Sequence, residues 1–354
     1  MKLSKSQLFW MVFISEIVLL TYFAFGPSLK QAKQDIWIAY LLAGAGAVIG
    51  SYLMVKVSMA YPNQTMVQYI QIILGKWLGK VVALAYICFW LLIIMIMLRG
   101  TVDFIGTNLL YQTPALVIIV FEILLMLYFN LQGGITTIGR CSQVIGPLLF
   151  VAAFLPMMLN STHMDYNQLL PVYNEGSKGI VNGAAIIFCF IGETSIVMMV
   201  TAFVKESKSA SSGVLSAVGF GTLWGCMMSV AVILLFGAVS AADMYHPHFM
   251  FMKSISILDF IQNFDLVITF FLQFGIMIKL ASHLFISSYG IAQWMNFRNW
   301  KRVTWVLAFL ILIGMLTTSN LSFEYLIQPW FFLLFNFALP VLVWIIHLVK
   351  RAAV

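Results

Sequence analysis

Apolar residues in this chain come in long runs, each about 20 residues, separated by short polar or glycine-containing connections. Ten runs stand out, at roughly 8–28, 36–59, 81–100, 115–132, 142–159, 180–204, 214–240, 264–292, 303–319 and 330–349. About 20 residues of α-helix cross the ~30 Å of hydrocarbon in a bilayer. The short alternating segments of a membrane β-barrel are absent. The pattern therefore predicts an all-α integral membrane protein with ten transmembrane helices.

Two connections keep a helical mixture of apolar and polar positions. "NQTMVQYIQIILGKWLGK" follows span 2, and "HPHFMFMKSISILDFIQNF" follows span 7. The first is expected to lie along one membrane surface, and the second to cap the mouth on the opposite surface.

Ten spans invite a test for an inverted repeat. Span 1 and span 6 start on opposite sides, so the halves, about 8–160 and 180–350, run in opposite senses within one domain. Each first helix carries a weak point at mid-depth: "TYFAFGPSL" with Gly26-Pro27 in span 1, and "FIGETS" with Gly192-Glu193 in span 6. Paired interruptions at matching places in two halves point to a midplane binding site. Irregular backbone at that depth is tolerated where it is buried in protein or lines a cavity. The expected architecture is a five-plus-five inverted repeat with broken helices 1 and 6. Glycine and proline are also common in membrane helices for packing alone.

Composition agrees: 62% of the 354 residues are hydrophobic and 9% charged, against about a quarter charged in soluble domains. The net charge of +7 would suit nucleic acid, but its distribution orients the chain instead. With the N-terminus inside, thirteen basic residues fall in inner segments and five in outer ones, the bias of a membrane protein with both termini cytoplasmic. Cys88, Cys141, Cys189 and Cys226 lie singly in apolar runs, which fits packing rather than a disulfide framework or zinc site. His246 and His248 flank Pro247 near Asp243; ordinary loop chemistry is expected there rather than a metal pair. No phosphate-binding loop, zinc-protease or serine-hydrolase motif occurs, so no cofactor and no enzyme activity are expected.

Four charges fall inside spans: Glu16, Glu122, Glu193 and Lys279. An ionised side chain at mid-bilayer costs roughly 2.5–3.5 kcal/mol on insertion scales, and such residues face the protein interior and pair. Lys279 is too deep to reach water, and Glu16 and Glu193 are the acids offered to it. These charges read as ligand contacts, a proton relay or an ammonium in place of a coupling ion; a buried pair fixing helix register is the bland alternative. A half-helix N-terminus offers N–H groups and a positive dipole end to a carboxylate. An amino acid is thus a natural guest, with sugars and small organic ions also open. The expected pocket comprises Thr21, Tyr22 and Gly26 of span 1, and Gly192, Glu193 and Thr194 of span 6. Phe89 and Ile93, one turn apart on span 3, would add a wall or merely pack.

Several segments resemble the spore germination receptor B-subunit family of permease-like proteins. They are "YPNQTMVQYIQIILGKWLGK" with its "LGKWLG", "LLPVYNEGSKGIVNG" leading into "FIGE", "NFDLVITFFLQFGIMIK" with Lys279, and Arg99 ending span 3. The resemblance covers essentially the whole chain. It implies the inverted-repeat fold of the amino acid–polyamine–organocation transporters and a nutrient germinant, commonly an amino acid. It also implies an A-type membrane subunit and a C-type lipoprotein as partners in the inner spore membrane. The chain departs from the family at "LTYFAFGP", where many relatives have a Gly-x-Gly-like turn and Thr21 and Tyr22 narrow access to the backbone, and at Asn263, where a basic residue is common. Three readings follow: a ligand-sensing receptor subunit, a proton-coupled amino-acid transporter, or a membrane scaffold with a vestigial pocket.

Overall fold

The structure is a computed structural model that describes residues 1–191, 194–205, 207–254, 264–317 and 329–352. Among these, nine helices are long and apolar enough to cross a membrane. The first, Lys5–Ala60, has 56 residues and would be about 84 Å long if straight. It holds predicted spans 1 and 2 and bends back between them. Helix α1 (Lys5–Leu19) passes through a π turn, Leu20–Ala24, into α2 (Phe25–Ala32). At Lys33 the backbone turns to φ 44°, a 3-10 turn follows, and α3 (Ile36–Ala60) returns. Gly183 sits in the crook, where an added Cβ would meet both Ala32 and Ala39.

The remaining helices are α4 (Met66–Leu74), α5 (Lys76–Asn108), α6 (Ala115–Gly133), α7 (Ile135–Leu159), α8 (Gly176–Phe190), α9 (Thr194–Val200), α10 (Ser207–Phe236), α11 (Ala238–Asp243) and α12 (Pro247–Lys253). Then come α13 (Phe264–Trp294), α14 (Trp300–Thr317), α15 (Pro329–Leu333), a π turn Leu334–Ala338, and α16 (Leu339–Ala352). The ends of the chain share one face: Leu3 pairs with Val204 at the end of span 6, and Tyr61 bonds His347 of α16 (3.1 Å). We call this the terminal face and its opposite the distal face.

Helices α1, α3, α8–α10 and α13 form the centre, with α6, α7, α14 and α16 outside them. In span 6, 80% of the most apolar stretch is buried within the protein; in span 10 the figure is 28%. Without a hydrophobic drive between helices in lipid, close backbone approach over small residues holds such a centre together. The α3–α10 seam does this reciprocally. Gly44 of α3 receives Thr222 of α10, and Gly225 of α10 receives the Tyr40 ring of α3; a Cβ at Gly225 would lie 2.4 Å from that ring.

Candidate functional site

Span 6 is interrupted where the sequence predicts. Its last regular bond runs from Ile191 N–H to the Ile187 carbonyl (2.8 Å), and Ile191 is extended. Helix α9 resumes at Thr194. Gly192 and Glu193 themselves lie outside the described residues, as does the Thr194 side chain.

Span 1 departs from the expectation in form. The chain runs through Gly26-Pro27 as regular helix, and the irregularity falls earlier, at the π turn Leu20–Ala24, closed by Phe25 N–H to the Leu20 carbonyl. A proline ring crowds the carbonyl four residues before it, here Phe23, and the wider π turn relieves that crowding. Pro340 follows the second π turn in the same way. Pro147 and Pro156 sit in regular helix, so proline alone does not demand a π turn. Both π turns pack on the interrupted helix, Leu20–Ala24 against α8 and Leu334–Ala338 against α9. Such bulges concentrate at functional sites.

Around the break, polar atoms from neighbouring helices meet the loosened backbone. Asn336 Nδ2 donates to the Cys189 carbonyl (3.5 Å), whose usual helical partner would be residue 193, past the end of α8. Trp90 Nε1 donates to Ser195 Oγ at the start of α9 (3.3 Å), and the Tyr86 hydroxyl donates to the Phe335 carbonyl in the second π turn (3.1 Å). Phe89 stacks on Phe335 (centroids 4.5 Å, 8°), and Ile93 is buried one turn on. The predicted span 3 face is therefore packed on span 10 and α9. Trp90 and Tyr86, which the sequence reading did not select, are the members of that face that bond to the irregular segments. Their polar ring atoms, which need partners when buried, were the available signal.

One turn toward the terminal face lies a layer of charge. Lys279 of α13 and Glu16 of α1 are both fully buried, and Lys279 Nζ donates to the Ser15 carbonyl (2.8 Å). Gly221 of α10 faces the Glu16 carboxylate so closely that a Cβ there would lie 2.6 Å from Oε2. The structure thus brings Lys279 beside the α1 turn that carries Glu16. Glu122 lies apart on α6, fully buried and hydrogen-bonded by Gln273 of α13.

Toward the distal face, Thr21 and Tyr22 line a chamber closed by α12. His246 lies edge-on to Phe104 (5.2 Å) and His248 packs on Phe25 (4.0 Å). Gly26 is not in this lining, and the space beside it is open. The predicted pocket residues thus divide: Thr21 and Tyr22 face the chamber, Phe89 and Ile93 pack at the break, and Lys279 and Glu16 lie below. The chamber has room for about one water molecule (≈ 20 Å³), which needs ~10–15 Å³. This is a closed state, and a larger guest requires the helices to part. Among the described residues no group of three or more His, Cys, Asp or Glu could hold a metal ion.

A membrane protein built around an interrupted helix, with buried charge beside it, is transporter-like in fold. A solved structure bears this out: Mhp1, described as a nucleobase-cation-symport-1 family transporter in a closed conformation with bromovinylhydantoin bound. It is similar over 92% of this chain and 74% of its own, with a TM-score of 0.63 at 15% identity. That likeness shows the fold, an inverted repeat of five plus five spans with spans 1 and 6 interrupted. The chain belongs to the spore germination protein family, whose model matches residues 2–324. Spore germination protein YndE of Bacillus subtilis (strain 168) is 27% identical over 60% of this chain and 57% of its own length, so the match spans little more than half of that relative. Spore germination protein KB of the same organism is 21% identical over 92% and 87%, and spore germination protein XB of Bacillus anthracis 23% over 76% and 77%.

Proposed function

We propose that this chain is the nutrient-sensing B-type subunit of a spore germination receptor. It binds a small molecule, in first place an amino acid, between the interrupted halves of spans 1 and 6. The observation that carries the reading is the set of two π turns and one broken helix packed on each other beside a buried Lys279–Ser15 contact. Packed helices with two discrete arrangements turn a small binding event into a larger shift. The pocket comprises Thr21, Tyr22, Gly26, Phe89, Ile93, Gly192, Glu193 and Thr194, with Lys279, Glu193 and Glu16 as the charge layer beneath. The A-type membrane subunit and C-type lipoprotein receive the signal, in the inner spore membrane, with the terminal face cytoplasmic and the repeats at about 8–160 and 180–350.

A second reading has an observation in its favour. A fully buried lysine on span 8 can replace a coupling cation, so a proton-coupled amino-acid transporter would carry the same features. Binding and uptake of radiolabelled amino acids, measured together in sealed proteoliposomes, separate the two. The sensor predicts saturable binding without accumulation, lost in Glu193→Gln and Lys279→Met. Gradient-driven accumulation sinks the sensor reading in favour of transport, and unchanged binding in both variants removes the pocket assignment.

A further inference from the structure

Three residues that line the distal chamber each carry a buried polar atom with no hydrogen-bond partner: the Tyr22 hydroxyl, His246 Nε2 and His248 Nδ1. Buried polar atoms are partnered in the great majority of cases, and a cluster of exceptions calls for an occupant. Apart from Thr21, the other described residues around them are aromatic or apolar. Phe104 meets Phe249 edge-on (5.1 Å, 89°) and Tyr22 edge-on (5.7 Å, 77°). Among the described residues no lysine, arginine, aspartate or glutamate lines the space.

We propose that this chamber is a ligand compartment of its own, selective for an uncharged planar group that both donates and accepts hydrogen bonds, with α12 as its lid. The inference rests on the reading that the protein binds a small molecule, and it specifies which part of that molecule enters here. A hydroxyl both donates and accepts, and each neutral imidazole nitrogen does one or the other according to its tautomer. Together they suit an amide-like edge, whose carbonyl accepts and whose N–H donates. Surrounding rings present faces and edges to a flat guest. A carboxylate would enter with no cation among the described lining residues to balance it, which burial penalises heavily. In the closed state the chamber has room for about one water. A ring-sized guest enters when α12 lifts. This helix has seven residues, and Phe249, Phe251 and Met252 are its buried apolar anchors.

Equilibrium binding to the full chain in lipid nanodiscs tests the compartment with three probes of one size. Benzamide has the ring and the amide edge, benzoate the ring with a charge, and cyclohexanecarboxamide the edge without the flat ring. Benzamide is expected to bind at least about tenfold tighter than benzoate, the smallest consequence of an uncompensated buried charge. It should also exceed cyclohexanecarboxamide. Tyr22→Phe and His248→Phe, which keep the rings, should each weaken benzamide several-fold while elution profile and helix content stay as in the wild type. Benzoate binding as well as benzamide, no benzamide binding, or no effect of either substitution overturns the proposal. L-alanine is measured on the same samples. If alanine binds and benzamide does not, the compartment falls and the small-molecule reading stands. If benzamide binds and no nutrient in a wider panel does, the compartment stands and the nutrient reading falls.

Discussion

The two ends of the interrupted helix are closed by different means. On the terminal face the closure is hydrogen-bonded. Tyr69 of α4 donates to the Met198 carbonyl of α9 (3.4 Å) and shares a bond with Ser58 (3.2 Å). Thr65 and Gln68 form a capping box, Thr65 also bonds Gln293 of α13, and Leu3 is clamped to Phe203 (2.7 Å) and Lys205 (2.9 Å). Gln64 Oε1 and Thr201 Oγ1 are among the unpartnered atoms on that side. On the distal face the chamber is covered ring against ring, over three polar atoms without partners, and α12 is tied down at its far end by Asn160 Nδ2, which donates to the Phe251 carbonyl (3.5 Å) and Ser254 Oγ (3.3 Å). Parting the distal end gives up aromatic contacts of ~0.5–1.5 kcal/mol each and lets water reach unsatisfied atoms. Parting the terminal end breaks made hydrogen bonds. On the proposed function, the comparison favours entry of a guest from the distal side, where opening relieves unpartnered atoms, over the terminal side, where it breaks made hydrogen bonds.

Four experiments break or sharpen this contrast. The largest effect is expected at the charge layer both ends share. Lys279→Met removes a buried ammonium that is hydrogen-bonded across α1 and α13, and breaking such contacts costs about 3–5 kcal/mol. A large fall in thermal midpoint in detergent should result, and a stable variant would show the layer to be dispensable to the fold. Next comes the α3–α10 seam. Gly225→Ala forces the Tyr40 ring to move, an overpacking loss of about 1–3 kcal/mol, measurable by the same melt; an unchanged melt would mean the seam has slack.

Acidification should discriminate between the ends. Burial, and then the neighbouring His246, push the His248 imidazole down to about 3, and burial also lowers His246. With the folded value depressed, the opened lid binds more protons than the closed one below about pH 6.5, so lid stability falls as pH drops. Each histidine contributes up to about 1.4 kcal/mol per pH unit in that window. Hydrogen exchange should therefore speed up in α12 between pH 7 and 5, after correction for intrinsic rates, while α4 stays unchanged. In His248→Phe the pH effect should shrink; equal acceleration at both ends would erase the contrast. The smallest effect is expected for Tyr69→Phe, about 1 kcal/mol for bonds that exchange with water on opening, read as faster exchange in α4 and α9. No change there would mean the terminal closure is held by packing alone.

Much of this was legible in the sequence, because lipid imposes strong rules. Apolar run length fixes the spans, and Gly192-Glu193 in an apolar helix marks the interruption. Lys279 could be placed in the interior from its depth alone. Other features were not legible. The Gly26-Pro27 pair signalled an irregularity but not its form or position, because a π turn one step earlier satisfies the same steric demand as an unwound segment. The spacing of Phe89 and Ile93 leaves a pocket wall and ordinary packing both open and does not say which neighbour the face meets; Phe89 stacks on Phe335. The second π turn at Leu334–Ala338 carries no glycine, and its local marks, Asn336 within it and Pro340 after it, do not by themselves specify a π turn, since Pro147 and Pro156 sit in regular helix.

The sequence by itself determined the class of fold, the number of spans and the family, since hydrophobic length and motif order are local properties that every neighbouring arrangement must respect. Only the tertiary structure decided that Lys279 meets the Ser15 carbonyl, that Tyr22 shares a chamber with His246 and His248 more than 200 residues away, and that Lys33 pairs with Glu175 at the distal start of span 6 while Tyr69 bonds Met198 toward its terminal end. Those pairings depend on helix rotation and crossing, which many weak contacts between distant segments set together and no single stretch of chain encodes.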